Sequence, residues 1–246
     1  MAGYQRARSI EHKEERRQVI LDVAREIAET TAYAEITMDA VARAAGLGKS
    51  TLYGYFETKE ELFLALVDVE FAKWFSELTA TVTGVTDVRE ISTRICKSIL
   101  ERQMLMGLLA VLHPVIEHGI DRESTIRYKT LFLERSTVAA RALEAAVPFL
   151  GPNGGMQFLV LLHALVIGLT HMANPSPVCA EVLAEPQFAP IRVTFERPLM
   201  LGVGVLLGGF MATAAIRAQY AAEQLKPAPP SPRIAAVKKK RRKPAA

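Results

Sequence analysis

Between Thr37 and Leu62 the chain reads TMDAVARAAGLGKSTLYGYFETKEEL, and this stretch constrains the fold more than any other. Thr37 stands as an N-cap before Met38, Val41, Ala42 and Ala45, whose spacing gives a short helix. Gly46 then suits a left-handed turn, where a Cβ would be costly. Leu47 can plug the angle between two helices, and Ala42 is small enough to let them approach. A second short helix over 48–56 puts Leu52 and Phe56 one turn apart, facing the core. Ser50 and Gly54 fall near the opposite face, with Thr51, Tyr53 and Tyr55 on the flanks. Thr58-Lys59-Glu60-Glu61 is a capping box, and Leu62, Phe63, Leu66 and Val69 continue from it at helical spacing. Two short helices joined by a glycine turn are the pattern of a helix-turn-helix.

Helical spacing also dominates elsewhere. Val19, Ile20, Val23, Ala24 and Ile27 mark one apolar face of a helix over 10–30. Asp87 caps a helix over 87–105, and another covers 107–118 with Pro114 inside it as a kink. Asp121 opens a helix to about 146, ended by Pro148 and the turn at 151–155. Two strongly apolar helices, 156–173 and 198–222, flank a loop holding Pro175, Pro177, Pro186 and Pro190. No alternating strand pattern and no Asn-Gly or Asp-Gly hairpin turn is present. The expected fold is all-α, with about nine helices. Three parts are expected: residues 1–62 as the helix-turn-helix unit, 63–225 as a larger helical domain, and 226–246 as a disordered basic tail.

Charge has to be read by segment. Residues 1–62 carry 9 Lys/Arg against 11 Asp/Glu, and 63–225 carry 13 against 15. Residues 226–246 carry 8 against none, so the net +4 describes a tail rather than a basic body. Global charge therefore does not establish nucleic-acid binding. Two distant cysteines, Cys96 and Cys179, form no disulfide framework, and MAGYQRARSIEHKEERR has no apolar run typical of a secretory leader. A cytoplasmic location is expected.

The 37–62 stretch resembles the DNA-binding domain of TetR-type transcriptional regulators. The matching positions are Thr37, Val41-Ala42, Ala45-Gly46-Leu47, Thr51-Leu52-Tyr53, Tyr55-Phe56 and Thr58-Lys59-Glu60 with Leu62. One departure is that the connector 30–36 lacks the glycine that family places after its first helix. The resemblance implies phosphate contacts from Thr37, Lys49, Thr51, Tyr53 and Lys59. It makes Ser50, Gly54 and Tyr55 the candidates for base contacts. Packing within the small domain is the competing reading for Tyr53 and Tyr55. It further implies a homodimer on a near-palindromic double-stranded operator, with a C-terminal effector-binding and dimerisation domain.

An effector cavity for a small apolar molecule is expected beside Pro114, lined by Met104, Leu105, Leu108, Leu109, Leu112, His113, Phe132 and Leu161 or their turn-mates. The last two helices are too apolar for one buried face each. A four-helix dimer interface would cover them, with closest approach at Gly204, Gly208 and Ala212. Both helices are also borderline in length for a membrane, a reading set aside because Gln157, His163, Thr170 and His171 interrupt the first. His113 and His118 do not share a helix face, and His163 and His171 lie two turns apart, so no metal site is expected. No catalytic constellation and no cofactor motif emerges. The expected function is a DNA-binding repressor released by an effector. The alternative is an effector-independent architectural protein that coats DNA through its basic tail.

Overall fold

The computed structural model describes residues 2–214, with residues 2–10 as backbone only. The basic tail 226–246 and the end of the last apolar helix lie outside the described residues. Among these there are ten α-helices and no strand. They are α1 Ala2–Thr30, α2 Met38–Ala44, α3 Lys49–Tyr53, α4 Lys59–Val82 and α5 Val88–Leu100. Then come α6 Gln103–Leu112, α7 Arg122–Ala146, α8 Gly154–Ala173, α9 Pro177–Ala184 and α10 Glu196–Ala212.

Side-chain caps start α2, α4, α5 and α7 where the sequence put them. The hydroxyl of Thr37 accepts the Ala40 N–H at 3.2 Å, and that of Thr58 accepts the Glu61 N–H at 3.0 Å. Asp87 and Asp121 accept the N–H groups of Arg89 and Ser124, each at 2.9 Å. The return half of the box at Thr58 is shifted by one residue: Glu61 Oε2 accepts from the N–H of Glu57 at 2.8 Å. Its other oxygen accepts from Ser124 Oγ at 3.0 Å, which ties the start of α4 to the start of α7.

Helix α4 is the axis of the molecule. Leu62, Phe63, Leu66, Val67, Phe71, Phe75, Leu78 and Val82 are buried along it against α1, α5, α6 and α7. At about 1.5 Å per residue it joins the small N-terminal unit to the larger helical body without a break. Polar ties reinforce the packing. Buried Glu70 faces the Arg25 guanidinium of α1 at 3.5 Å and Lys73 at 2.9 Å, while Arg135 of α7 pairs with Asp68.

Four expectations need correction. The helix expected over 87–105 breaks at Glu101–Arg102, where Arg102 leaves helical geometry (φ −116°, ψ 60°). Pro114 kinks nothing: α6 ends at Leu112 and a 3-10 turn, Ile116–His118, follows. The proline has no N–H to extend the helix. The Pro-rich connector holds a tenth helix, α9, started by Ser176 accepting the Cys179 N–H and by Pro177 at its first turn. On α1, Val19 is half exposed and Leu21 is buried in its place.

At the α7–α8 crossing, a Cβ on Gly155 would lie 2.2 Å from the Ala140 carbonyl oxygen, a backbone atom that cannot step aside. Gly155→Ala is therefore expected to lower unfolding free energy by about 1–3 kcal/mol in urea titration. Gly107→Ala, in mid-helix with nothing within 4 Å, should raise it by about 0.5–1 kcal/mol. Equal effects at the two sites would contradict the crossing.

Candidate nucleic-acid interface and ligand cavity

The turn between α2 and α3 is held by its own backbone. Gly46 is left-handed (φ 66°), its N–H donates to the Arg43 carbonyl at 3.2 Å, and the Leu47 N–H donates to the Ala42 carbonyl at 2.9 Å. That pair of bonds is a Schellman closure, which fixes the angle at which α3 leaves α2. Leu52 and Phe56 are buried beneath α3, and Leu47 packs half-buried against the same core. Beyond Tyr53 the chain keeps only single turns, with the Phe56 N–H donating to the Leu52 carbonyl at 3.1 Å.

This anchoring decides what α3 shows to solvent. Thr37, Lys49, Ser50, Tyr53 and Gly54 are exposed, whereas Thr51 and Tyr55 are half-buried. Tyr55 packs against the core and, with Arg17 of α1, lines a hollow beside α4. Lys49 lies 2.9 Å from Asp39 of α2, and that carboxylate holds its ammonium above the usual lysine value. Lys59 is the most constrained of the eight candidate residues. Its Nζ donates to the carbonyls of Tyr33 and Ile36 at 2.9 and 3.0 Å and lies 4.1 Å from the centre of the Tyr33 ring. It thus fastens the 30–37 connector to the start of α4, and one of its three donors stays uncommitted to these carbonyls. Tyr33 in turn donates to Glu60 at 2.8 Å and meets the edge of Phe63.

The expected effector residues do not come together. Met104 and Leu108 line a groove under α1, Leu112 is sealed in the core, and Leu161 is 46% exposed on α8. Only His113 and Phe132 reach the aromatic cavity, a space of about 190 Å³ between α4, α7 and α8. Its walls are Phe71, Trp74 and Phe75 of α4 with Tyr128, Phe132, Met156 and His163. Phe71 and Phe132 meet edge to face at 5.0 Å. The readable signal was the aromatic triple at i, i+3 and i+4 on α4, which places three rings on one face.

Histidines also pair across helices rather than along one. His113 Nε2 lies 3.2 Å from His163 Nε2, His113 Nδ1 lies 2.9 Å from Glu117 Oε2, and Lys129 lies 2.6 Å from Glu117 Oε1. No set of three metal-ligating side chains occurs among the described residues. Burial opposes the charge on Glu117, but Lys129 and His113 hold its carboxyl below the usual range. Burial, then His113 and Lys129, push His163 from 6.5 down to about 4, against a small opposing pull from Glu117.

A depressed histidine binds its proton later in the folded chain than in the unfolded one. Its contribution to stability is full above pH 6.5 and is lost as pH falls toward about 4. Urea unfolding is expected to show a loss on the order of 3 kcal/mol at most across that window, and His163→Phe should remove it. Parallel pH profiles for wild type and variant would contradict the neutral assignment of His163.

Two family profiles match the chain. Residues 20–66 match the bacterial regulatory proteins of the tetR family, and residues 68–214, more than half the chain, match the tetracyclin repressor-like C-terminal domain. The HTH-type transcriptional regulator EthR of Mycolicibacterium smegmatis is 40% identical over 55 residues, 22% of this chain. That match spans 25% of the relative's length. Among solved structures, SmeT, the repressor of the Stenotrophomonas maltophilia multidrug efflux pump SmeDEF, aligns over 78% of this chain and 89% of its own at 20% identity, TM-score 0.48. AlkX from Dietzia sp. strain DQ12-45-1b aligns over 82% and 95% at 18% identity, TM-score 0.44. With a helix-turn-helix closed by Gly46 and a helical body that both match, the chain belongs to the TetR family of transcriptional regulators.

Proposed function

We propose that this regulator is a homodimeric repressor, and that a small apolar effector in the aromatic cavity lowers its affinity for DNA. Residues 1–62 act as the reading unit and 63–225 as the effector-binding and dimerising part. Lys49, Thr51, Tyr53, Thr37 and Lys59 grip phosphates, and Ser50 and Gly54 face base edges. The observation that carries this reading is the double duty of α4. It contributes Phe71, Trp74 and Phe75 to the cavity, and it begins three residues after Phe56 at the end of the reading unit. A ligand that pushes on Phe71 thus acts on a rigid lever about 18 Å from Lys59.

The dimer is supported by what α8 and α10 leave uncovered. Leu201 and Val205 are 70% and 63% exposed, and Gly204, Gly208 and Ala212 lie on exposed positions of the same helix. Contiguous apolar surface of this kind marks an interaction site. The α8 helix and the segment ending in α10 are apolar and long enough to cross a membrane by composition alone. Pairing with a second subunit covers them while keeping Gln157 and His171 in protein surroundings, so we read the partner as protein and the compartment as cytoplasmic.

Selection from a pool of random duplexes with the full-length chain tests this function. The expected product is a near-palindrome whose two halves are inverted copies. Recovery of unrelated sequences with no repeated half-site would overturn the operator reading.

A further inference from the structure

His163 lines the aromatic cavity, and its hydrogen-bonding state follows from its neighbours. Glu117, paired with Lys129, is an ionised acceptor, so the His113 Nδ1 that faces it at 2.9 Å carries hydrogen. A His113 that carries only this hydrogen presents a bare Nε2. The Nε2 of His163, 3.2 Å away, must donate across that gap. A neutral His163 has one ring hydrogen, so its Nδ1 is left as a lone-pair acceptor, and among the described residues no protein donor reaches it.

Around this acceptor the walls are aromatic. Phe71 and Phe132 stand 5.9 and 6.4 Å from the His163 ring, and Phe75 meets Phe132 at 5.5 Å. Lys129, the single positive side chain at the cavity among the described residues, is already neutralised by Glu117, so a carboxylate would gain no free partner and would face a lone pair. A space of about 190 Å³ is below the ~300 Å³ at which drug-sized sites begin.

We propose that this cavity binds an uncharged aromatic molecule of one or two rings bearing a hydroxyl or N–H donor, and that His163 Nδ1 accepts that hydrogen. The inference names the chemistry of the effector and so rests on the effector reading above. His163 is the specificity-determining residue: the rings hold any flat apolar body, and the imidazole selects the donor. Burial supports it, because a histidine that stays neutral well below pH 6.5 keeps its acceptor at neutral pH.

Trp74 is the chain's only tryptophan and lines the cavity, so its fluorescence reports occupancy. The full-length chain is titrated at about pH 8 with 4-ethylphenol, ethylbenzene and 4-ethylbenzoate, three probes of similar shape. One net hydrogen bond predicts 4-ethylphenol about three- to tenfold tighter than ethylbenzene, with 4-ethylbenzoate weakest. His163→Phe keeps the ring and should erase the preference for the phenol, while His163→Gln, whose side-chain carbonyl accepts, should retain part of it. Equal binding of phenol and hydrocarbon would overturn the proposal, as would no response of Trp74 to any probe. Tightest binding of the benzoate would also overturn it, as the signature of a protonated His113 that reverses the hydrogen-bond chain. The same probes are then added to the complex with the selected duplex. A phenol preference without any change in DNA affinity would sustain the ligand class and sink the effector reading alone.

Discussion

Replacing Gly204 and Gly208 together by leucine should turn the dimer into monomers and remove operator binding while helix content is kept. Among the described residues neither position has a heavy atom within 4 Å of an added Cβ, so each leucine starts into open space. Helix propensity even favours the change by about 0.8 kcal/mol per site. Overfilling a subunit crossing costs about 1–3 kcal/mol per site, so the dimer dissociation constant should rise by a hundredfold or more. Gly202→Leu provides the contrast. Its Cβ would sit 2.6 Å from the side-chain end of Leu165 on α8, so Leu165 must move to admit a whole leucine and the unfolding midpoint should fall. Sedimentation and circular dichroism separate the two outcomes. A Gly204/Gly208 variant that sediments as a dimer with wild-type DNA affinity would move the interface elsewhere.

The second large effect is on DNA. Tyr53→Ala with Lys59→Ala should weaken operator binding by about tenfold to a thousandfold at fixed salt, on the scale of two lost phosphate contacts. The salt slope should fall by about one, since one cation is removed. Lys59 also fastens the connector through the carbonyls of Tyr33 and Ile36, so its single variant should lose some thermal stability. Tyr53 is 40% exposed, and its single variant should not. Changes at Ser50 should instead alter which duplex is preferred. Unchanged operator affinity in the double variant would remove α3 from the role of reading element.

The sequence was most legible where structure is local. Thr37, Thr58, Asp87 and Asp121 each cap a helix because a short oxygen-bearing side chain meets N–H groups two or three residues on, and that depends on spacing alone. Gly46 was legible for the same reason. The break at Arg102 was not, because apolar spacing continues through Leu105 and hides a local change in backbone angle. Helix α9 was hidden by its prolines, although Ser176-Pro177 is itself a start signal. The reading face of α3 follows from burying Leu52 and Phe56. The cavity was beyond reach in detail, since a gap is a property of three helices together. Reasoning along one helix compared His113 with His118 and His163 with His171, and only the packing of α6 against α8 brings His113 and His163 to 3.2 Å.

Hydroxyl-radical footprinting of the full-length chain on the selected duplex tests the central claim, that two copies of α3 read DNA as a spaced pair. The expected result is two protected blocks related by inversion, with centres about one helical turn, ~34–36 Å, or a multiple of it apart. Both blocks should fade together in the Gly204/Gly208 leucine variant. A single undivided block, or two blocks that persist in a protein sedimenting as monomer, would contradict the claim.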